Sequence, residues 1–281
     1  MSRSESPNRQ QADQWNQVSG PVWVEQQALL DRMLAPFAQR LVEEAFPGEG
    51  RKVLDIGCGA GATTLAMAER LGPSGLCLGV DISAPLIAAA RARATAGGPA
   101  SAAFALADAQ TFAFERQAFD AVISRFGVMF FDDPTGAFGN IRAAAAPGAR
   151  LAFAAWRSAA ENPFMTAAAR ATAPLLPPQP PPAPDAPGQF GFADAARVRR
   201  ILEESGWRQV RIEPLDEPCV ISDDDLMTYV MNMGPSGAAL RAADAATRDK
   251  ARSLLEAAFR PYVDGDHARF IAACWWVTAR A

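Results

Sequence analysis

Nine residues, Val53-Leu54-Asp55-Ile56-Gly57-Cys58-Gly59-Ala60-Gly61, constrain this chain more than any other stretch. An apolar run, glycines at alternate positions and an immediate helical pattern read as a buried strand, a tight turn and a helix N-terminus. Without Cβ atoms, such a turn lets backbone N–H groups and the helix end come up against a ligand. Asp55 is the odd member. A carboxylate two residues ahead of the first glycine suits a cationic or hydroxyl-rich ligand better than an anionic one.

The rest of the chain repeats the same unit. After a polar stretch over residues 1–20, expected to be a flexible tail, apolar residues from Trp23 to Phe46 recur at helical spacing, interrupted by Pro36. Strands are predicted over 52–56, 76–80, 102–107, 118–124, 150–156, 209–215 and 270–278. Helices are predicted between most of them, with Ser83-Ala84-Pro85 and Asp133-Pro134 as start signals. Alternating β and α units predict an α/β fold: a doubly wound, seven-stranded sheet covered on both faces. The last strand follows the sixth without a βα crossover, which predicts an antiparallel final strand. Two segments break the rhythm, at about 157–192 (crowded with proline from Pro174 to Pro187) and at 216–265. Both leave the sheet at the edge where the parallel strands end and are read as lid insertions on a single domain spanning 21–281.

Composition excludes several functions. A net charge of −4 gives no general attraction to nucleic acid or to an anionic membrane surface. Four cysteines without C-x-x-C spacing and a single histidine, His267, leave no metal-site pattern. No signal-peptide pattern and no apolar run of bilayer length is present, so the expected compartment is the cytoplasm. The expected oligomeric state is monomer or homodimer.

Asp55-Ile-Gly-Cys-Gly-Ala-Gly, Val80-Asp81-Ile-Ser, Ala107-Asp108-Ala109 and Pro147-Gly148-Ala149 occur in order, each at a strand end. In this the chain resembles class I S-adenosylmethionine-dependent methyltransferases, particularly the small-molecule branch related to quinone-biosynthesis C-methyltransferases. The resemblance covers residues 52–156 and returns at 194–215 and 268–279. It implies S-adenosylmethionine as cofactor and S-adenosylhomocysteine as product. It further implies that Gly57, Cys58 and Gly59 pass under the methionine end of the cofactor, with Asp55 near its ammonium. Asp81 would take the ribose hydroxyls, Ile82 would flank the adenine, and Asp108 with the Ala109 N–H would read the adenine edge. Ser124 would lie near the transferred methyl. Arg125, Phe126, Trp156, Met227 and Met231 are candidates for the substrate pocket. His267, expected at the start of the last strand, is the candidate base.

Two other readings compete. Gly57-x-Gly-x-x-Ala62 fits a relaxed dinucleotide fingerprint, with Asp81 where a ribose-binding acid belongs. Against an NAD(P)-dependent oxidoreductase, Asp55 would repel a pyrophosphate, and neither Tyr229 nor Tyr262 has a lysine four positions on. A non-catalytic cofactor-binding protein on the same fold is the other. The absence of an Asn-Pro-Pro-Tyr-type motif after the fourth strand favours an O-, C- or aliphatic N-acceptor on a small organic molecule.

Overall fold

A computed structural model describes residues 8–178 and 185–281. The chain enters through α1 (Arg9–Asp13), a π-helical stretch (Gln14–Ser19), α2 (Gly20–Glu25), α3 (Gln27–Met33) and α4 (Ala35–Glu44). Helical geometry lapses at Gln26 and Leu34, and Pro36 falls in the first turn of α4, where its missing N–H costs nothing. The expected tail over 1–20 is therefore helical from Arg9 onward. Its polar residues contribute little to a core, but they find partners on the sheet edge described below.

Strand β1 (Lys52–Ile56) leads through the glycine turn to α5 (Ala62–Leu71). β2 (Leu76–Asp81) leads to α6 (Ala84–Thr95) and then β3 (Ala102–Leu106). β4 (Phe119–Arg125), α7 (Pro134–Ala144) and β5 (Ala145–Trp156) follow. Next come α8 (Pro163–Thr172), α9 (Ala195–Glu204), β6 (Arg208–Ser222), α10 (Asp223–Asn232), α11 (Gly234–Ala242), α12 (Ala245–Phe259), the two-residue β7 (Val263–Asp264) and β8 (His267–Arg280). The strand order is β3-β2-β1-β4-β5-β8-β6, with β7 on β8. β1 to β5 pair in parallel, and β8 runs antiparallel between β5 and β6, as the connection pattern predicts.

Right-handed crossovers running one way from β1 and the other way from β4 put α5 and α6 on one face and α7 and α9 on the other. The winding reverses between β1 and β4, so a crevice opens there at the strands' C-terminal ends. Both faces are packed. Phe37 and Leu41 of α4, Met67 and Leu71 of α5, and Phe138 and Ile141 of α7 are fully buried. Trp207, buried at the start of β6, donates its indole N–H to the Phe138 carbonyl at 3.1 Å, tying the α9–β6 turn to α7.

The insertions differ from their expected bounds. Residues 216–222 do not leave the sheet; they continue β6 in register with β8 as far as Ser222 opposite His267. Trp156, the last residue of β5, lies level with Cys274, so both strands project as a two-stranded ribbon beyond the sheet edge. Pro214 and Pro218 both lie within β6. β6 is an edge strand that needs partners on one side only, which is where proline is tolerated. The helices of the two insertions pack together, α8 against α12, with Phe164 stacked on Phe270 of the ribbon at 4.8 Å. Asn162 anchors them: its side-chain amide donates to the Ala273 carbonyl and accepts from the Ala273 N–H, each at 2.9 Å. Part of the proline-crowded connector, 179–184, lies outside the described residues.

Candidate cofactor site

The glycine turn closes on the crevice at the β1–β4 switch point. Gly57, Gly59 and Gly61 all take positive φ (66°, 56° and 86°), conformations that side chains resist. Their surroundings divide them. A Cβ on Gly57 would stand 2.6 Å from the Gly127 Cα in the loop after β4, and one on Gly61 would stand 2.8 Å from the Phe104 ring. A Cβ on Gly59 would meet nothing within 4 Å. The protein itself fills the space beside Gly57 and Gly61, whereas the space beside Gly59 is open.

Beneath the turn, Asp55 is 1% exposed. Its Oδ2 accepts a 2.7 Å bond from the Thr64 hydroxyl, and its Oδ1 has no partner. Burial pushes its pKa from 3.8 up to about 7, opposed by the Thr64 bond and by the nearby Arg125 charge. A buried carboxylate oxygen lacking a donor fits a cationic group such as an ammonium, and it disfavours phosphate.

Asp81, at the end of β2, accepts from the Gly59 N–H at 2.8 Å and from the Ser83 N–H at 2.9 Å. Burial raises its pKa, and these backbone bonds counter the rise. It thereby holds the glycine turn and the entry to α6 together. Ser83 does not cap α6 with its side chain; its hydroxyl donates to the Trp15 carbonyl at 2.9 Å. Asn16 takes over the cap, accepting from the Ala84 N–H at 2.8 Å and donating to the Ile82 carbonyl at 3.0 Å.

The loop after β3 is pinned in the same way. Asp108 Oδ1 accepts from the Gln110 N–H at 2.9 Å and from the Asn8 amide at 3.0 Å. Asn8 also exchanges bonds with Asp132, its N–H donating at 2.7 Å and its side-chain oxygen accepting at 2.8 Å. Asn140 of α7 donates to the carbonyls of Ala109 and Phe112, at 3.0 and 2.9 Å. Trp15 packs edge-on against Phe130 and Trp23. Residues 8–20 thus lie across the loops that carry Ile82 and Asp108.

Asp55, Gly57, Cys58, Gly59, Asp81, Ile82, Asp108 and Ala109 therefore meet along one edge of the sheet. Other expected site residues have different placements. Ser124 is fully buried; its hydroxyl donates to the Ile56 carbonyl at 2.7 Å and accepts from the Gly127 N–H at 3.1 Å, so it staples β4 to the glycine turn. Phe126 and Trp156 stack at 4.3 Å with planes 7° apart and pack on Phe37, which makes them core of the crevice wall. Phe126 holds φ 63° to do so. Met227 and Met231 on α10 are half-buried against the core. Arg125 is largely covered, its guanidinium 3.6 Å from Asp31 of α3.

His267 is displaced most. It stands at the ribbon tip, seven residues along β8 from Cys274, roughly 23 Å at about 3.3 Å per residue. Its Nδ1 is 2.6 Å from the exposed Asp266 carboxylate. The expected position assumed that the last strand begins level with the ends of the parallel strands; the ribbon carries its start beyond them. Thr64, Gly127, Asn8 and Asp31 were not foreseen. Their only sequence signal was polar or small character, and the partners of Asn8 lie a hundred or more positions along the chain.

A family model described as a methyltransferase domain matches residues 47–206. The aklanonic acid methyltransferase DauC of a Streptomyces species is 35% identical over 144 residues, which cover 51% of this chain and 61% of that protein. The demethylmenaquinone methyltransferase of Thermus thermophilus is 35% identical over 128 residues, 44% of this chain and 57% of that protein. The match thus spans somewhat over half the length of these two relatives. Among solved structures, the YcgJ protein of Bacillus subtilis superposes with a TM-score of 0.58 at 16% identity, covering 88% of this chain and 98% of that one. Among the described residues, no helix is long and apolar enough to cross a membrane. With more than half of its length matched by the family model, the chain belongs to the family of S-adenosylmethionine-dependent methyltransferase domains.

Proposed function

We propose that this protein transfers a methyl group from S-adenosylmethionine to a small organic acceptor that presents an ionisable oxygen or an activated ring carbon. One observation carries the reading: the unpartnered, buried Oδ1 of Asp55 beneath the glycine turn. An ammonium satisfies that oxygen, whereas the pyrophosphate of a dinucleotide would be repelled by it. The open space at Gly59 and the free lone pairs of Asp81 and of Asp108 Oδ2 suit an amino-acid end, a ribose and an adenine in that order.

When bound, S-adenosylmethionine supplies a sulfonium methyl that moves by in-line displacement. The protein's part is then alignment and exclusion of water. Asp81 and the glycine turn orient the nucleoside. The Phe126–Trp156 stack forms an apolar wall. The only histidine stands at the ribbon tip, so an acceptor that ionises by itself, such as a carboxylic acid, a phenol or an enol, suits this site. The names of the two relatives, one acting on aklanonic acid and one on demethylmenaquinone, agree with that class. Calorimetry with S-adenosylmethionine, S-adenosylhomocysteine and NADH tests the reading. The two sulfur ligands are expected to bind and NADH not to; tight NADH binding without either sulfur ligand would overturn it.

A further inference from the structure

The chain has two tyrosines, and both meet at one phenylalanine of the ribbon, Phe270. Along β8 the buried Ala268, Phe270 and Ala272 alternate with the exposed Arg269 and Ile271, so one face of the ribbon is covered and the other meets solvent. On the covered face, Tyr229 of α10 stands 6.5 Å from the Phe270 ring, and Tyr262, in the turn after α12, stands 5.2 Å from it. Phe270 also stacks on Phe164, which sits edge-on to Trp156 at 6.4 Å. Trp156 in turn stacks on Phe126, just after β4. A continuous run of rings thus leads from the crevice wall to the two tyrosines.

The run changes character at its far end. Phe126, Trp156, Phe164 and Phe270 are buried, whereas Tyr229 and Tyr262 are only half-buried. Leu226 and Val230 share a face of α10 with Tyr229 and are buried, so the tyrosine is the member of that face that borders open space. A polar group on a covered ring ordinarily finds a partner. Trp207 and Trp275 do so, each giving its ring N–H to a carbonyl, at 3.1 and 2.8 Å. Among the described residues, neither tyrosine hydroxyl has such a bond. Desolvation raises the Tyr229 phenol above its ordinary pKa, so at neutral pH it stays protonated and can both donate and accept. Two neutral hydroxyls at the end of an aromatic path suit a neutral oxygen on a flat ring, whereas a carboxylate is better met by a cation.

Resting on the methyltransferase reading, we infer that the acceptor is a flat molecule of two or more fused aromatic rings whose phenol or keto oxygen is read by Tyr229 and Tyr262. The two residues set specificity: their rings give a planar molecule its contact, and their hydroxyls hold its far oxygen. The reacting atom then lies towards Phe126 and Trp156. This narrows the ionisable acceptor from carboxylic acids to phenols and enols.

The test uses the full-length protein saturated with S-adenosylhomocysteine and three probes in equilibrium dialysis. These are 1-naphthol, naphthalene, which lacks the oxygen, and decahydro-1-naphthol, which carries it on a saturated, puckered frame. Wild-type protein should bind 1-naphthol at least about fivefold more tightly than either of the others. Tyr229→Phe should cut 1-naphthol affinity about fivefold and Tyr262→Phe about threefold, with naphthalene affinity unchanged. Because neither hydroxyl is bonded within the protein, both variants should keep the wild-type urea midpoint and S-adenosylhomocysteine affinity. Equal binding of 1-naphthol and decahydro-1-naphthol overturns the flat acceptor. Variants that bind 1-naphthol as wild type does, or that lose naphthalene equally, overturn the role of the tyrosines. Wild-type protein that fails to bind S-adenosylhomocysteine sinks the methyltransferase reading, whereas normal binding of that ligand without any of 1-naphthol sinks this inference alone.

Discussion

Asp55→Asn should make the ligand-free protein more stable at neutral pH and at the same time weaken cofactor binding. The wild-type carboxyl is buried, with one bond from Thr64 and one oxygen unmet. Its pKa, raised from 3.8 to about 7 chiefly by desolvation, means that folding favours the protonated form. The sign follows from proton counting. Between about pH 4 and pH 7 the unfolded chain has lost the proton and the folded chain keeps it, so stability falls as pH rises through that window. At ~1.4 kcal/mol per pH unit, the full loss is about 4 kcal/mol by pH 8.

Asparagine removes this ionisation cost but leaves its own amide unpaired, a loss of about 1–3 kcal/mol. The variant should therefore be about 1–3 kcal/mol more stable than wild type at pH 8 and less stable than wild type near pH 4.5. Urea unfolding of both proteins across that range, read by tryptophan fluorescence, measures the difference. In wild type, cofactor binding should tighten as pH rises towards 7, because the ammonium favours the ionised carboxylate, and binding should release a proton. Calorimetry in two buffers of different ionisation enthalpy detects that proton. Identical pH slopes for the two proteins, with no proton release in wild type, would refute the reasoning.

Three further outcomes follow from the geometry. Gly57→Ala places a Cβ 2.6 Å from Gly127 and should cost at least 2 kcal/mol of stability. Gly59→Ala meets no protein atom and should cost only ~1–2 kcal/mol for its left-handed backbone, yet abolish S-adenosylhomocysteine binding; the reverse pattern in unfolding and calorimetry would reassign the two glycines. Asn162→Ala strands the buried Ala273 N–H, while the Ala273 carbonyl keeps its bond from the Arg157 N–H, and should cost about 1–3 kcal/mol in urea unfolding; a cost below ~0.5 kcal/mol would mean that Asn162 is no anchor. His267→Ala should leave methyl-transfer rates within about twofold from pH 5.5 to 8, whereas a hundredfold loss would return this residue to the reaction.

What could be read in the sequence is what is local along the chain. The spacing from Asp55 to Gly61, the acid ending β2 and the proline-marked helix starts each report a few neighbouring residues, and they suffice for the doubly wound sheet and, through the family they resemble, for the cofactor class. Ser83 shows where that reading stops. Its type and position announce an N-cap, but the Ala84 N–H is capped by Asn16, 68 positions before it, and Ser83 is spent on Trp15. Ser124 likewise sits at the right strand end yet has both sides of its hydroxyl taken by backbone. The tail looked unstructured because its polar residues hide no hydrophobic face. Asn8 and Asn16 earn their order from hydrogen bonds to loops far along the chain. His267 was misplaced because the expected sixth strand stopped at Leu215, whereas β6 runs on to Ser222 in register with β8 and carries the start of that strand beyond the sheet edge.

The polar groups of this edge sort by whether the chain itself satisfies them. The Ser124 hydroxyl and the Asn140 amide donors are spent on holding loops. Asp81 and Asp108 each give lone pairs to neighbouring backbone or to Asn8, which fixes their orientation while leaving capacity on the carboxylates. Asp55 Oδ1 is left over, in a place where an unmet hydrogen bond is costly. Along this edge the leftover capacity is the free oxygen of Asp55 and the remaining carboxylate lone pairs of Asp81 and Asp108. That order agrees with the proposed cofactor, whose ammonium would meet Asp55 and whose nucleoside would meet Asp81 and Asp108.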